Sequence, residues 1–225
     1  MTEHSKFSIV VPTMWKYAPF VNFLKDLVQF DMVGEIIIIN NAIQETPDDT
    51  ILSHPKIALY NCTKNIGVNP AWNLGVNYSK FEKICILNDD IQFDLKVFFH
   101  VEKYLNEQTG VIGICPGIAE FNQPPVTTGS ISIIPWTGQH TFGFGCLMFV
   151  HKSWYCPIPT ECKIYYGDNW IFDTCLVRGQ TNYLITDALM MTPYASTTST
   201  VEAVNELLQV EGAVYRAKLA EYRQN

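Results

Sequence analysis

Two adjacent carboxylates, Asp89 and Asp90, follow the apolar run KICIL at residues 83–87 with only Asn88 between. Acids held side by side at the end of a rigid element repel each other. A hard divalent cation such as Mg²⁺ or Mn²⁺ would relieve that repulsion and keep coordination positions open for a diphosphate. Asn and Asp are also ordinary turn formers whose polar groups water can solvate, so the local pattern leaves both readings open. Other hydrogen-bonding residues stand at the ends of apolar runs: Pro12-Thr13, Asn40-Asn41 and Asn61. No G-x-G-x-x-G follows a strand-like run and no G-x-x-x-x-G-K-[ST] occurs, which argues against dinucleotide oxidoreductases and P-loop enzymes.

These residues need elements to hold them, and the hydrophobic pattern supplies a set. Residues 6–11 read as a strand stopped by Pro12, and apolar residues recur at helical spacing over 18–33. Residues 35–39 (EIIII) are apolar on both faces, as in a central parallel strand covered by helices on each side. Strands are read at 56–60, 83–87 and 110–115, with helices at 69–78 and 95–106. Asn69-Pro70 reads as an N-cap with proline at the first helical position, and Asp94 as a cap for the next helix. Alternating strands and helices imply right-handed crossovers and a mainly parallel sheet, whose carboxyl ends are where ligands bind.

Residues 116–159 are rich in Gly, Pro, Thr and aromatics, with short strands read at 131–136 and 146–151. A helix is read from Asp168 to residue 177, ended by Gly179, and a strand at 183–186. Ser199-x-x-Glu202 is a capping box opening a long helix to about residue 223. The expected architecture is α/β, one domain over 1–225. Within it about 1–115 would form a half of alternating strands and helices, about 116–198 a loop-rich half, and about 199–225 a C-terminal helix.

A formal charge of −7 and the absence of a Lys/Arg block argue against nucleic acid or an anionic membrane as the main partner. No apolar run approaches the roughly 20 residues of a membrane-spanning helix, and the polar opening MTEHSK lacks a leader's order, so the cytoplasm is the expected compartment. Seven cysteines with no close C-x-x-C pair read as reduced, structural thiols, with Cys156 and Cys162 the two open to another role.

In their order along the chain, SIVVPT, IIIINNA, NIGVNPAWNLG and ICILNDDI, followed by FGFGCLMFVHKSWY and YYGDNWIFDTCLVRG, resemble the GT-A nucleotide-sugar glycosyltransferases of the large inverting family two over about residues 7–187. The resemblance implies a GT-A, Rossmann-like fold, with about 1–115 as a nucleotide-binding half and about 116–198 as an acceptor-side half, and transfer of a sugar from a nucleotide-diphosphate sugar, such as a UDP-sugar, to a glycan or other hydroxyl acceptor. It implies Asp168 as the catalytic base, Asp90 as the ligand of Mn²⁺ or Mg²⁺, and Pro12, Thr13, Asn40, Asn65, Asn73, Asn88 and Asp89 as nucleotide-binding residues. Asn88 stands where the family has the first acid of its D-x-D motif, so it would reach a ribose hydroxyl without adding charge. Gly167 replaces one acid of the later pair, and the family's late histidine is missing from ALMMTPYAST.

Each assignment has a plain structural counterpart. Asp168 before Asn-Trp-Ile-Phe suits a helix N-cap, and the two roles are compatible. Thr13, Asn40 and Asn65 fit strand-end and Asn-x-Gly turns as well as base contacts, and Gly67 and Gly75 fit close backbone packing. Trp15, Trp136, Trp154 and Trp170 are candidates for an acceptor-sugar platform or for core packing. His140 either assists the base or is structural. The alternatives at the level of function are a catalytically weakened sugar- or nucleotide-binding protein of the same fold and a sugar-phosphate nucleotidylyltransferase.

Overall fold

Seven residues without a charged side chain, Phe7–Thr13, form β1 and are buried along their whole length. In the computed structural model, which describes residues 5–42, 46–47, 49–114, 130–138, 140, 143–192 and 201–224 apart from the side chains of 201–205, β1 lies inside a mixed sheet. In chain order the next elements are α1 (Pro19–Gln29), β2 (Val33–Asn40), β3 (Ile57–Asn61), α2 (Val68–Tyr78), β4 (Lys83–Leu87), β5 (Gln92–Phe93) and α3 (Val97–Tyr104). They are followed by β6 (Thr109–Ile114), β7 (Ser132–Trp136), β8 (Leu147–His151), α4 (Gly167–Val177), β9 (Thr181–Thr186), β10 (Met190–Met191) and α5 (Val201–Tyr222). Eight strands form the sheet in the order β3-β2-β1-β4-β8-β6-β9-β7, and β5 pairs with β10 apart from it.

The pairings β3–β2, β2–β1, β1–β4 and β6–β9 are parallel, whereas β8 runs antiparallel between β4 and β6 and β7 runs antiparallel at the edge. Alternate residues of β1 serve opposite layers. Ile9 and Val11 pack with Phe20, Leu24 and Leu27 of α1 and Phe98 of α3, and Val10 packs with Trp72 and Val76 of α2 and Ile84 of β4. This is helix, sheet, helix. A Cβ on Gly75 would collide with Val10, so α2 approaches the sheet as closely as a helix can.

Local readings shift where tertiary contacts override them. The first helix stops at Gln29 because Phe30 is already extended (ψ 127°) and the chain turns into β2 at Val33. Asn69 does not cap α2: Gly67 occupies that position at φ 89°, and the Asn69 side chain donates to the Cys162 and Tyr165 carbonyls instead. Asp94 accepts the Lys96 N–H in a turn that precedes α3, which opens two residues later than its sequence pattern implied. Ser199, Cys115 and residues 116–129 lie outside the described residues. Among the described residues no helix is long and apolar enough to cross a membrane, and all the cysteines, Cys62, Cys85, Cys146, Cys156, Cys162 and Cys175, are free thiols.

Candidate active site

The strand order changes direction between β1 and β4, where open parallel sheets bind ligands. The β1–β4 ladder ends at Val10 opposite Ile86, so Pro12, which has no N–H to give, lies beyond it. On the other side Thr13 is in register with Asn40, and Asn40 with Asn61. Three polar residues therefore stand side by side at one end of the sheet.

The Thr13 hydroxyl spans the switch point, donating to Asp89 Oδ2 at 2.6 Å and accepting the Trp15 N–H at 2.8 Å. Trp15 takes a left-handed backbone (φ 58°), which costs a non-glycine residue energy that the surrounding structure must offset. Burial pushes the Asp89 carboxyl above its ordinary range; the Thr13 hydroxyl opposes this and the neighbouring Asp90 charge adds to it. Thr13→Val strips the hydroxyl from that carboxylate, so it is expected to lower unfolding stability by about 1–3 kcal/mol in urea denaturation. An unchanged midpoint would remove Thr13 from the bridge.

Asp168 comes to the same end from the far half of the chain. Leu147 of β8 pairs with Leu87 of β4, and the 3₁₀ turn Phe144–Cys146 before it accepts the Asn88 N–H on the Cys146 carbonyl at 3.1 Å. In the same turn Gly145 N donates to Asp168 Oδ2 at 3.1 Å, and a Cβ on Gly145 would come within 2.8 Å of that oxygen. Asp168 is not the helix N-cap. Tyr166 holds that position at φ 59°, and Asp168 lies in the first turn of α4, with Oδ1 accepting from Asn169 N at 3.0 Å.

His140 Nε2 stands 3.1 Å from Asp168 Oδ2, the two side chains only 12% and 21% exposed. The imidazole is packed by Phe144 (5.3 Å) and Phe172 (5.6 Å, edge-on), which fixes its orientation. Burial raises the Asp168 pKa, but the His140 side chain and charge, with the Asn169 and Gly145 N–H groups, outweigh it and hold the carboxyl below its ordinary range. Asp168 is an ionised acceptor at neutral pH. The Cys146 thiol responds to both acidic centres: burial first, then the charges of Asp90 and Asp168, push it up to about 12. The Asp90 charge also raises the Tyr17 phenol, after burial.

The remaining candidates separate. Asn40 lies in the row but is committed to loop structure, donating to Asn61 Oδ1 at 2.9 Å and Thr46 Oγ1 at 3.0 Å and accepting from Ala42 N at 2.9 Å. Asn65 makes the turn into α2 by accepting the Gly67 N–H, and its amide approaches Met14 Sδ at 3.6 Å, beside the end of β1. Asn73 is not gathered with them. Its oxygen accepts from Tyr155 Oη at 2.7 Å and Ile158 N at 2.9 Å and its nitrogen donates to the Ile158 carbonyl, pinning α2 to that segment. His140, a sequence candidate to assist the base, meets Asp168, whereas the contact of Glu211 of α5 with the N–H groups of residues 163–165 has no local sequence signal.

No protein-family model matches this chain, and no curated protein matches its sequence. Solved structures do match it. The mannosyltransferase PcManGT from Pyrobaculum calidifontis, in complex with GDP-Man and Mn²⁺, aligns with 98% of this chain at TM-score 0.62 and 14% identity. TarS 1–349 from S. aureus aligns with 83% at TM-score 0.56 and 14% identity, and GalNAc-T7 with UDP, GalNAc and Mn²⁺ aligns with 85% at TM-score 0.61 and 9% identity. This chain spans 65%, 60% and 44% of those chains respectively. What it shares with them is the fold, a mixed α/β sheet of GT-A type.

Proposed function

We propose that this protein is a glycosyltransferase that moves a sugar from a nucleoside-diphosphate sugar to a hydroxyl acceptor, with inversion at the anomeric carbon. The observation that carries the reading is the meeting of the two acidic segments at the turn Phe144–Cys146 beside the sheet's switch point, where the Asn88 N–H that precedes Asp89 and Asp90 donates to the Cys146 carbonyl and the Gly145 N–H donates to Asp168 Oδ2. The three structural neighbours, two of them solved with Mn²⁺ and with GDP-Man or UDP, support it.

In this mechanism the ionised Asp168 accepts the proton of the acceptor hydroxyl. The acceptor oxygen bonds to the anomeric carbon on the face opposite the diphosphate, and the old carbon–oxygen bond breaks with its electron pair leaving on the nucleoside diphosphate. The His140 contact keeps Asp168 charged and aimed, at the cost of some basicity. Thr13, Asn65, Asn88 and Asp89, with Pro12 and Asn40 shaping the strand ends, line the nucleoside side.

The residues present fit a divalent cation that draws most of its ligands from diphosphate and water. Asp89 and Asp90 crowd each other electrostatically, and among the described residues no group of three or more His, Cys, Asp or Glu gathers to hold an ion unaided. Asp90, with Asn88 beside it, would hold it, and it would neutralise charge on the departing diphosphate. Mn²⁺ is expected to tighten UDP or GDP binding, and Asp90→Ala to abolish that enhancement more completely than Asn88→Ala. Calorimetric titration with and without MnCl₂ checks this, and two variants with the wild-type metal response would remove Asp90 from the role.

The test of the function is release of nucleoside diphosphate from UDP-GalNAc and GDP-mannose, and from a wider panel of nucleotide sugars, alongside protection against thermal unfolding. At least one sugar nucleotide is expected to do both. Neither binding nor turnover across the panel would overturn the reading.

A further inference from the structure

We infer that Glu211, on the C-terminal helix α5, is a positioning residue for Asp168; the inference deepens the reading of Asp168 as base and rests on it for its catalytic consequence. Glu211 is 1% exposed. Its carboxylate accepts three successive backbone N–H groups, Lys163 at 2.9 Å on Oε1 and Ile164 and Tyr165 at 3.1 and 2.7 Å on Oε2. A buried carboxylate satisfied in this way makes charge-assisted bonds stronger than neutral ones, and losing it leaves several buried donors without a partner.

The carbonyl side of the same loop is held from the opposite direction. Asn69 of α2 donates through its backbone N–H to the Lys163 carbonyl at 3.0 Å and through Nδ2 to the Cys162 and Tyr165 carbonyls at 3.2 and 2.9 Å. The segment 162–165 is thus clamped between a carboxylate that takes its N–H groups and an amide that takes its carbonyls. It leads directly into Tyr166, whose left-handed backbone turns the chain into α4 and whose carbonyl accepts the Trp170 N–H at 2.9 Å to close the first turn. Asp168 sits in that turn. The helix carrying Glu211 grips Tyr166 a second time, with Tyr215 stacked on its ring at 5.1 Å and 14°, and Tyr215 also bonds Asp173 one turn along α4. The aim of the Asp168 carboxylate at Gly145 and His140 is therefore set from the helix that carries Glu211 and Tyr215.

The test is Glu211→Gln, which keeps the shape but places an amide donor among three donors. Amide exchange is expected to quicken at residues 163–165 and, about tenfold, at Gly145, whose N–H rests on Asp168. Nucleoside-diphosphate release from UDP-GalNAc or GDP-mannose is expected to fall by about tenfold to a hundredfold, with the Kd for UDP and GDP unchanged, as for a misplaced group. The control is Glu35→Gln, another buried carboxylate that accepts a backbone N–H (Lys80, 2.6 Å) and the Ser8 hydroxyl (2.7 Å), at the start of β2 and so at the opposite end of the sheet. It is expected to lower the melting temperature while leaving Gly145 exchange and turnover at wild-type values. If Glu211→Gln does not fold, Tyr215→Leu, which removes the stack on Tyr166, gives the same readout. Faster exchange confined to residues 163–165, with Gly145 as in the Glu35→Gln control, would overturn the inference. Faster Gly145 exchange in a protein whose wild type releases no nucleoside diphosphate would uphold the positioning and overturn the glycosyltransferase reading instead.

Discussion

Replacing Asp168 by Asn is expected to lower glycosyl transfer by about 10²-fold or more while leaving the affinity for UDP or GDP unchanged, because a general base acts on the acceptor and not on the donor. Were Asp168 a helix N-cap, Asn would be a nearly silent structural replacement. The structure alters that expectation. The carboxylate accepts from Gly145 and Asn169 and faces His140, so an amide nitrogen must point at one of these donors, and stability is expected to drop by about 1–3 kcal/mol. Turnover and chemical unfolding are to be measured on the same preparation, since loss of activity in a folded variant separates chemistry from collapse. Near-normal transfer in a folded Asp168→Asn protein would reduce Asp168 to a structural acceptor and send the search for the base to Asp173 or His140.

His140→Phe is expected to have the largest effect on stability, about 3 kcal/mol. Phenylalanine keeps the contacts with Phe144 and Phe172 but leaves a buried carboxylate without its imidazole partner. The sign of the pH dependence follows. In the wild type Asp168 titrates below its unfolded value, so its contribution is fully present above the ordinary carboxylate range and is lost as pH falls through the lower folded pKa. Without His140, burial dominates and raises that pKa, so the variant gains by protonating Asp168 in acid. The gap between variant and wild type that comes from Asp168 should therefore be widest above the ordinary carboxylate range and narrow as pH falls through about 4. Urea unfolding across this range checks it, and a gap constant with pH would mean that His140 contributes shape and not charge. Transfer by the variant, if measurable, should require a higher pH, because a base with a raised pKa ionises later.

Much of the first half was legible because its determinants are local. The run Ile36–Ile39 can be buried on both faces only in a covered strand, and a period of about 3.6 in residues 20–28 can only face one layer, so the parallel sheet and its polar strand ends follow from spacing alone. Asp90 at the end of β4 is such a case, since five residues of strand carry it to the sheet's edge. Caps and boundaries were less legible, because Gly67 and Tyr166 begin their helices from left-handed backbone held by distant partners where Asn69 and Asp168 have the better capping side chains.

The second half was decided elsewhere. His140 is a sequence candidate to assist the base, but only folding brings it to Asp168, 28 residues on, and nothing near Glu211 marks it as the acceptor for residues 163–165. Residues 146–151 read as a strand, but not as one that would insert antiparallel between β4 and β6 and so carry Gly145 and Cys146 to the β4 edge. Sequence alone determined which elements form and which of their ends are polar, because hydrophobic periodicity is a property of neighbours along the chain. Which carboxylate is ionised, aimed and held was decided by the tertiary structure, because a buried charge takes its state from donors and counter-charges that only folding brings within about 3 Å.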